Sequence, residues 1–357
     1  MVRGRYFTII PAHSEASHAA PMITRIFITF LLAIPIVFSI VILLAMALML
    51  NMPGRSFSGS PPALSKDELV LRENLRRHLT VLASDIGERN NLKYDNLCRA
   101  ASYIEEQFKL NGYEPRLQSF DVQDKNYTNI EATIKGASKQ IILVGAHYDT
   151  VAGCPGADDN GTGIVSILEL ARLLRETKPQ YTIRFVAFPN EEYPFFWSKA
   201  MGSYVYAGEC RSRGDEILGM IAVETVGYYS QKEHSQKYPV NTLGFLPDRG
   251  DFLFFVGNYR SRGFLTDCLG SFRKYATIPS EGISAFDCFD DISRSDNNSF
   301  WIHGYPGLMI TDTADFRNPN YHLPSDRVET IDFDNLTRFV SALSESLREL
   351  SGAGVRR

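Results

Sequence analysis

The sequence of 357 residues has few cysteines, and none of them are spaced as metal ligands usually are. No two of the five are separated by two residues, so the pattern gives no support for a zinc site made of thiolates. Cys268 and Cys288 are the closest pair, but spacing alone cannot assign disulfides. The odd total leaves at least one thiol without a partner inside the chain.

Basic runs and basic–aromatic interleaving are also missing. The net charge is −4 and the isoelectric point is near 6, so we expect no nucleic-acid partner. There is no internal repeat and no long low-complexity tract, which leaves ordinary globular architectures for most of the chain. The oligomeric state stays open.

One long apolar run is present, and it covers residues 26–50 without a charge. At a rise of ~1.5 Å per residue, a helix of this length crosses a bilayer core of ~30 Å. Pro35 lies inside the run, which membrane helices tolerate. We therefore predict a retained transmembrane helix; the alternative is a cleaved signal peptide followed by secretion.

The charges beside the apolar run predict its orientation. Arg3, Arg5 and Arg25 precede it, whereas Arg55 is the first cation after it. The positive-inside rule places the N-terminus in the cytoplasm and the rest of the chain outside. The predicted domains are a cytoplasmic segment (1–25), a transmembrane helix (26–50), a flexible linker rich in Pro, Gly and Ser (51–64) and a catalytic domain (65–351).

The predicted catalytic domain alternates strands and helices. A capping box at Ser65 and Glu68 starts the first helix. Continuous apolar runs such as 141–144 are typical of parallel strands that are buried on both faces. The fold class is therefore α/β, with a mostly parallel central sheet flanked by helices. Predicted strands cover 116–122, 127–134, 141–144, 181–188, 219–223 and 307–310; predicted helices cover 65–83, 94–110, 163–175, 202–213 and 333–350.

Histidines and carboxylates follow several of these strands. In such a sheet, functional groups gather beyond the carboxyl ends of the strands. These residues are therefore expected close together, although each alone has a more ordinary interpretation as a turn, a cap or a solvated loop residue. The candidates are His147, Asp149, Asp158, Asp159, Glu191, Glu192, Glu224 and His322.

Imidazole and carboxylate ligands without thiolate favour zinc, with manganese or cobalt as substitutes. A single divalent cation would leave the three carboxylates of Asp159, Glu192 and Glu224 under-compensated. The charge count therefore predicts two metal ions. Glu224 is the hardest to assign to a surface role, because its strand is otherwise apolar and a buried carboxylate needs a partner.

Five segments, in this order, resemble the co-catalytic zinc aminopeptidase family, which includes bacterial leucyl aminopeptidases, glutamate carboxypeptidase, glutaminyl cyclase and the transferrin-receptor ectodomain. The resemblance extends over roughly residues 65–350 and implies a zinc-exopeptidase type of fold. The segments are Gly145-Ala-His147-Tyr-Asp149, Pro155-Gly-Ala-Asp158-Asp159-Asn-Gly-Thr-Gly163, Phe188-Pro-Asn-Glu191-Glu192, Glu224-Thr-Val-Gly227 and Tyr321-His322.

The resemblance implies a role for each matched residue. Asp159 corresponds to the carboxylate that bridges two zinc ions, Glu191 to the general base, and Asp149 to the carboxylate that orients a histidine ligand. A cis peptide bond is implied between Asp159 and Asn160. The implied metal ligands are His147, Asp159, Glu192, Glu224 and His322.

The sequence departs from the family at two places. Glu224 stands where relatives often have Asp, which changes the reach of that ligand. Ser295-Asp296-Asn297 stands where relatives commonly read Ser-Asp-His, so no histidine contributes at that point.

The activity implied is hydrolysis of peptides from one end, and an aminopeptidase is favoured over a carboxypeptidase by analogy. One alternative is a glutaminyl cyclase, which works with a single zinc. A second alternative is a non-catalytic, receptor-like member of the same fold. The complete ligand set argues against both alternatives.

Overall fold

The structure is a computed structural model, and it describes Met1, residues 19–239 and residues 244–354; for residues 19–26 only the backbone is described. Arg3, Arg5 and most of the predicted cytoplasmic segment lie outside the described residues, as does the side chain of Arg25. The chain divides into two compact units, Met1–Met49 and Leu50–Arg357.

The first unit contains one long helix, α1 (Ala19–Leu50). Within it, Phe27–Leu50 is long and apolar enough to cross a membrane, and none of that stretch is buried. A signal sequence near an N-terminus meets the same two criteria. The predicted apolar helix is therefore present, and its length and composition suit a membrane span.

The second unit is built on an eight-stranded mixed sheet with the strand order β1-β2-β4-β3-β5-β8-β6-β7. Strands β4, β3, β5 and β8 run parallel at its centre, whereas the β1–β2, β2–β4 and β6–β8 pairs are antiparallel. The strands are β1 (Arg116–Val122), β2 (Lys125–Ile134), β3 (Ser138–His147), β4 (Tyr181–Phe188), β5 (Glu216–Glu224), β6 (Leu253–Asn258), β7 (Ser280–Ala285) and β8 (Gly307–Thr311).

Helices cover both faces of this sheet. On one face α3, α4 and α6 contact the strands. Helices α2 and α8 pack against α4 and against each other, and α8 also contacts α6. Ile142, Val144 and Ile221 belong to this main core. On the other face Phe188 packs against a ring of α5 and a ring of α7. The helices are α2 (Lys66–Thr80), α3 (Tyr94–Leu110), α4 (Gly163–Leu174), α5 (Gly202–Arg213), α6 (Arg262–Tyr275), α7 (Asn297–Ile302) and α8 (Phe333–Leu350).

The α/β fold class predicted from the sequence is confirmed, and several boundaries agree closely. The capping box at Ser65 forms as expected, with Glu68 donating its backbone N–H to the Ser65 hydroxyl. The first predicted helix continues past α2 as a wider turn, Val81–Ile86. Four elements were not predicted, namely β6, α6, β7 and the short helix α7. Strand β6 adds a third antiparallel pair, with β8, to a sheet that was expected to be mostly parallel.

Arg89 positions the loop that follows β3. It is completely buried, and its guanidinium donates to the carbonyls of Tyr148 (2.7 Å), Pro155 (2.7 Å) and Gly156 (2.9 Å). A buried guanidinium is stable only when its donors find acceptors, and here backbone carbonyls supply them. The loop that leads from β3 towards α4 is therefore held at several points by one side chain.

Candidate metal centre

Five of the sequence-predicted residues form two groups of possible metal ligands, and Asp159 belongs to both. The first group is His147, Asp159 and Glu224, and the second is Asp159, Glu192 and His322. In each group, one ligand atom per residue lies within 4.8 Å of the others. The shared carboxylate gives the arrangement the form of two adjoining cation sites.

The two oxygens of Asp159 face different histidines. Its Oδ1 lies 3.3 Å from Nε2 of His147, and its Oδ2 lies 2.9 Å from Nε2 of His322. Each histidine nitrogen also approaches a glutamate: His147 is 3.2 Å from Glu224, and His322 is 3.3 Å from Glu192. The carboxylate of Asp159 therefore stands between the two groups, as a bridging ligand would.

The donor set fits divalent zinc. Oδ1 of Asp159, Oε1 of Glu192 and Nε2 of His322 are buried and have no hydrogen bond of acceptable geometry within the described part of the chain. Their lone pairs point into the cluster, where three carboxylates converge with two imidazoles. Imidazole and carboxylate are ordinary zinc ligands, and two cations would offset the concentrated negative charge.

Strand ends position most of these side chains. His147 is the last residue of β3, and Glu224 is the last residue of β5. Glu191 and Glu192 follow β4 after a turn at Asn190, whose φ is +65°. The sequence predicts that these residues lie close together, because the carboxyl ends of neighbouring parallel strands share one edge of the sheet.

Asp159 lies in the short loop before α4, and the peptide bond between Asp159 and Asn160 is cis, as the resemblance implied. The side chain of Asn160 lies under the site. It donates to the carbonyl of Val223 (2.8 Å) and to Glu224 (3.2 Å), and its oxygen accepts from the N–H of Gly163 (3.0 Å).

Asp149 connects the loops after β3 and β4. Its two carboxylate oxygens accept the backbone N–H groups of Glu191 and Glu192, both at 3.0 Å. Nδ1 of His147 lies 3.5 Å from the same carboxylate and 3.3 Å from the Asp149 carbonyl. One carboxylate therefore fixes the direction of a histidine and of two glutamates, as metal sites require of the groups around their ligands.

Burial and crowding shift the pKa values of these groups. Burial, together with the charge of Asp159, raises the pKa of Glu192 to about 7. Burial also raises the pKa of Glu191 well above its usual range. Burial opposes ionisation of Asp159 as well, but the close imidazoles of His147 and His322 outweigh it and lower the pKa of that carboxyl below its ordinary value. Cations bound in the cluster would lower the pKa values of the two glutamates again, because a nearby positive charge favours the ionised carboxylate.

Two residues that contact the candidate ligands or their loop were not recognised in the sequence. The Ser295 hydroxyl donates to Oε2 of Glu224 at 2.7 Å. The Asp326 carboxylate accepts the N–H groups of Asp158 (2.8 Å) and Asp159 (3.1 Å). Neither residue follows a strand, so the pattern of strand ends does not indicate them. Ser295 lies in the triplet that departs from the family, which was the one available signal.

Comparison with known proteins agrees with this geometry. The sequence model of Peptidase family M28 matches residues 129–347, which is more than half of the chain. An uncharacterized protein of Escherichia coli K12, YfbL, is 34% identical over 285 residues, covering 76% of this chain and 86% of its own length. Leucine aminopeptidase 1 of Trichophyton rubrum is 28% identical over 304 residues, covering 78% of this chain and 74% of its own.

Solved structures share the fold at low sequence identity. BSAP, a zinc aminopeptidase from Bacillus subtilis, has a TM-score of 0.61 and 15% identity, with 78% of this chain and 95% of that chain covered. The glutaminyl cyclase of Fimbriiglobus ruber has a TM-score of 0.59 and 16% identity, with 84% and 99% covered. The same fold is therefore found in proteins with at least two activities.

Replacing Ser295 with alanine should weaken zinc binding without unfolding the protein, because Glu224 then loses the hydroxyl that orients it. Removing such a supporting hydrogen bond typically lowers metal affinity by about 10–100-fold. Competition with a fluorescent chelator measures the affinity. Ser293→Ala is the matched control, since the Ser293 hydroxyl donates only to the carbonyl of Asp290. Equal zinc affinity in both variants would show that Ser295 does not support the ligand.

Proposed function

This chain belongs to peptidase family M28, and we propose that it is a zinc-dependent aminopeptidase that removes N-terminal residues from peptides. Membership of the family makes it a peptidase. The preference for the N-terminal end is supported by the similarity to leucine aminopeptidase 1 of Trichophyton rubrum over most of both chains.

The observation that carries the proposal is the pair of ligand groups that share Asp159. In the proposed site, His147, Asp159 and Glu224 hold one zinc ion, and Asp159, Glu192 and His322 hold a second. Manganese or cobalt would substitute, because the oxygen and nitrogen donors suit them too. Zinc ions held there would lower the pKa of a water molecule and polarise the carbonyl of the scissile peptide bond.

Glu191 is the proposed general base. It belongs to neither ligand group; its Oε1 is buried without a hydrogen-bond partner in the described structure, and its Oε2 lies 3.9 Å from Nε2 of His147. In that place it would accept the proton of the attacking water and deliver it to the amine that leaves. Asp149 would keep Glu191 in position through the backbone N–H that it accepts.

Two alternative functions, a glutaminyl cyclase and a non-catalytic receptor-like protein, can be distinguished from an aminopeptidase by experiment. A glutaminyl cyclase shares the fold, but it needs one zinc ion, whereas the two candidate ligand groups of this chain support two. A non-catalytic, receptor-like protein would have no need of a general base beside the ligands. Assays with aminoacyl-anilides, blocked peptides and N-terminal glutaminyl peptides, together with the zinc content per chain, distinguish the three.

Glu191→Gln and Glu192→Gln should fail in different ways. Glu191→Gln removes a proton acceptor, so we expect about two zinc ions per chain and a loss of turnover of about 10²–10⁴-fold. Glu192→Gln replaces an anionic ligand with a weak neutral one, so we expect the loss of one zinc ion and partial recovery of activity when zinc is added. Turnover and elemental analysis are measured on both proteins.

The exposed residue Glu73 of α2 provides the matched control, since Glu73→Gln makes the same chemical change outside both ligand groups and should leave both readouts unchanged. Full activity in Glu191→Gln would contradict the mechanism. A single zinc ion in the unchanged protein, with turnover only of glutaminyl peptides, would replace the aminopeptidase with the cyclase.

We further propose that residues 26–50 anchor the protein in a membrane, with the catalytic domain (65–351) on the extracytoplasmic side. The apolar stretch Phe27–Leu50 and the arginines before it support this topology. Protease added to intact cells or spheroplasts should then digest the catalytic domain. Digestion only after lysis would reverse the topology, and recovery of the domain from the medium without residues 26–50 would indicate a cleaved signal.

A further inference from the structure

The segment between the apolar helix and α2 is bound along one edge of the second unit. Residues 51–64 were predicted to be a linker, yet they make repeated polar contacts with α6, β7 and α8. Three arginines donate to backbone carbonyls of this segment: Arg262 to Asn51 (2.6 Å), Arg273 to Pro53 (2.9 Å) and Arg338 to Pro62 (2.6 Å). In addition, the backbone N–H of Ser280 donates to the Ser56 hydroxyl (2.9 Å). The first residue after the apolar helix therefore has a fixed place in the fold.

Asn51 lies at the end of the sheet opposite to the candidate metal ligands. Strand β6 runs antiparallel to β8, and Phe254 at its start pairs with Thr311, which in turn pairs with Glu224. The end of β6 is therefore far from Glu224, at about 3.3 Å per residue over the length of the strand. Helix α6 begins just beyond that end, and its first residue, Arg262, holds Asn51.

An exposed aromatic pair and a cation lie at the same edge. Tyr259 follows β6 and is 52% exposed, and Phe286 follows β7 and is 42% exposed. Their rings are stacked, with centroids 5.7 Å apart and planes inclined by 24°. Arg260, beside Tyr259, is exposed as well. These three residues are called the anchor-side patch.

We propose that the anchor-side patch lies in the headgroup region of the lipid bilayer that holds the apolar helix. The proposal rests on the proposed anchoring of residues 26–50. Tyr259 is three residues from Arg262, so the patch lies within about 20 Å of Asn51 along a chain of ~3.5 Å per residue plus one side chain. Tyrosine and arginine favour the membrane interface, because their apolar parts enter the lipid while their polar ends stay hydrated.

The continuity of the chain is the reason to expect that the anchor-side patch contacts lipid. The last residue of the apolar helix, Leu50, is bonded to a residue that the domain itself holds, so the anchored helix brings this edge to the membrane surface. With the patch among the headgroups, the metal ligands at the opposite edge face away from the bilayer. The substrates would then be peptides dissolved outside the membrane.

The test places nitroxide labels on the full chain in nanodiscs of phosphatidylcholine and phosphatidylglycerol. The exposed native thiols Cys98 and Cys288 are first replaced by serine. Labels are introduced by Tyr259→Cys and, with the aromatic pair kept, by Arg260→Cys. Paramagnetic relaxation by oxygen, which concentrates in lipid, is compared with relaxation by a water-soluble nickel chelate.

Leu92→Cys is the matched control, since Leu92 is 71% exposed. It lies at the metal-ligand edge, beside Asn91, whose carbonyl accepts from Lys125 at the start of β2. We expect an oxygen-to-nickel ratio several-fold higher at 259 and 260 than at 92. A water-like ratio at both patch positions would overturn the proposal, and so would protection from both relaxants, which indicates a protein contact.

A label introduced by Val41→Cys, inside the apolar helix, separates this proposal from the anchor. A lipid-like ratio at 41 with water-like ratios at 259 and 260 would overturn the patch and leave the anchor intact. A water-like ratio at 41, or a chain that has lost this residue, would overturn the anchor and the patch together.

Discussion

Buried negative charge at one edge of the sheet is the constraint on which the rest of this structure depends. Asp159, Glu191, Glu192 and Glu224 are all nearly inaccessible to solvent, and they converge within one small volume. Uncompensated carboxylates in such a place would each cost several kcal/mol. The two histidines offset part of this charge, and cations would offset the remainder. The surrounding hydrogen bonds keep the carboxylate oxygens of the candidate ligands directed into the cluster.

The supporting contacts follow from this constraint, and most of them come from the backbone. Asp149 accepts two N–H groups from the loop after β4, and Asp326 accepts two from the loop before α4. Asn160 connects its own loop to β5, because its side-chain amide donates to the Val223 carbonyl. Three loops from three strands are thus fixed relative to one another by a few buried polar side chains, and rotation of a single ligand would leave other polar groups unpaired.

The sequence predicted the centre of the sheet, and it predicted that the candidate ligands lie together, because both depend on local patterns. Continuous apolar runs indicate β3, β4 and β5, and the ligands follow them directly in the chain. The same reasoning could not find Ser295 or Asp326, since each acts through a partner more than 70 residues away. It also missed β6 and β7. Strand β6 reaches the sheet by pairing antiparallel with β8, a long-range choice that no local pattern encodes. The Pro-, Gly- and Ser-rich composition of 51–64 predicted flexibility, yet contacts with distant arginines decide where this segment lies.

The antiparallel entry of β6 also explains how the sheet separates Asn51 from the candidate metal centre. Parallel strands gather functional groups at their carboxyl ends, which leaves the opposite edge free for another purpose. The antiparallel entry of β6 brings the start of α6 to that free edge, where Arg262 receives the chain from the apolar helix. A parallel β6 would have placed the same arginine beside Glu224 and the ligands, with its positive charge competing for their carboxylates. The reversal of one strand therefore keeps Asn51 and the charge of Arg262 a full strand length away from the candidate metal centre.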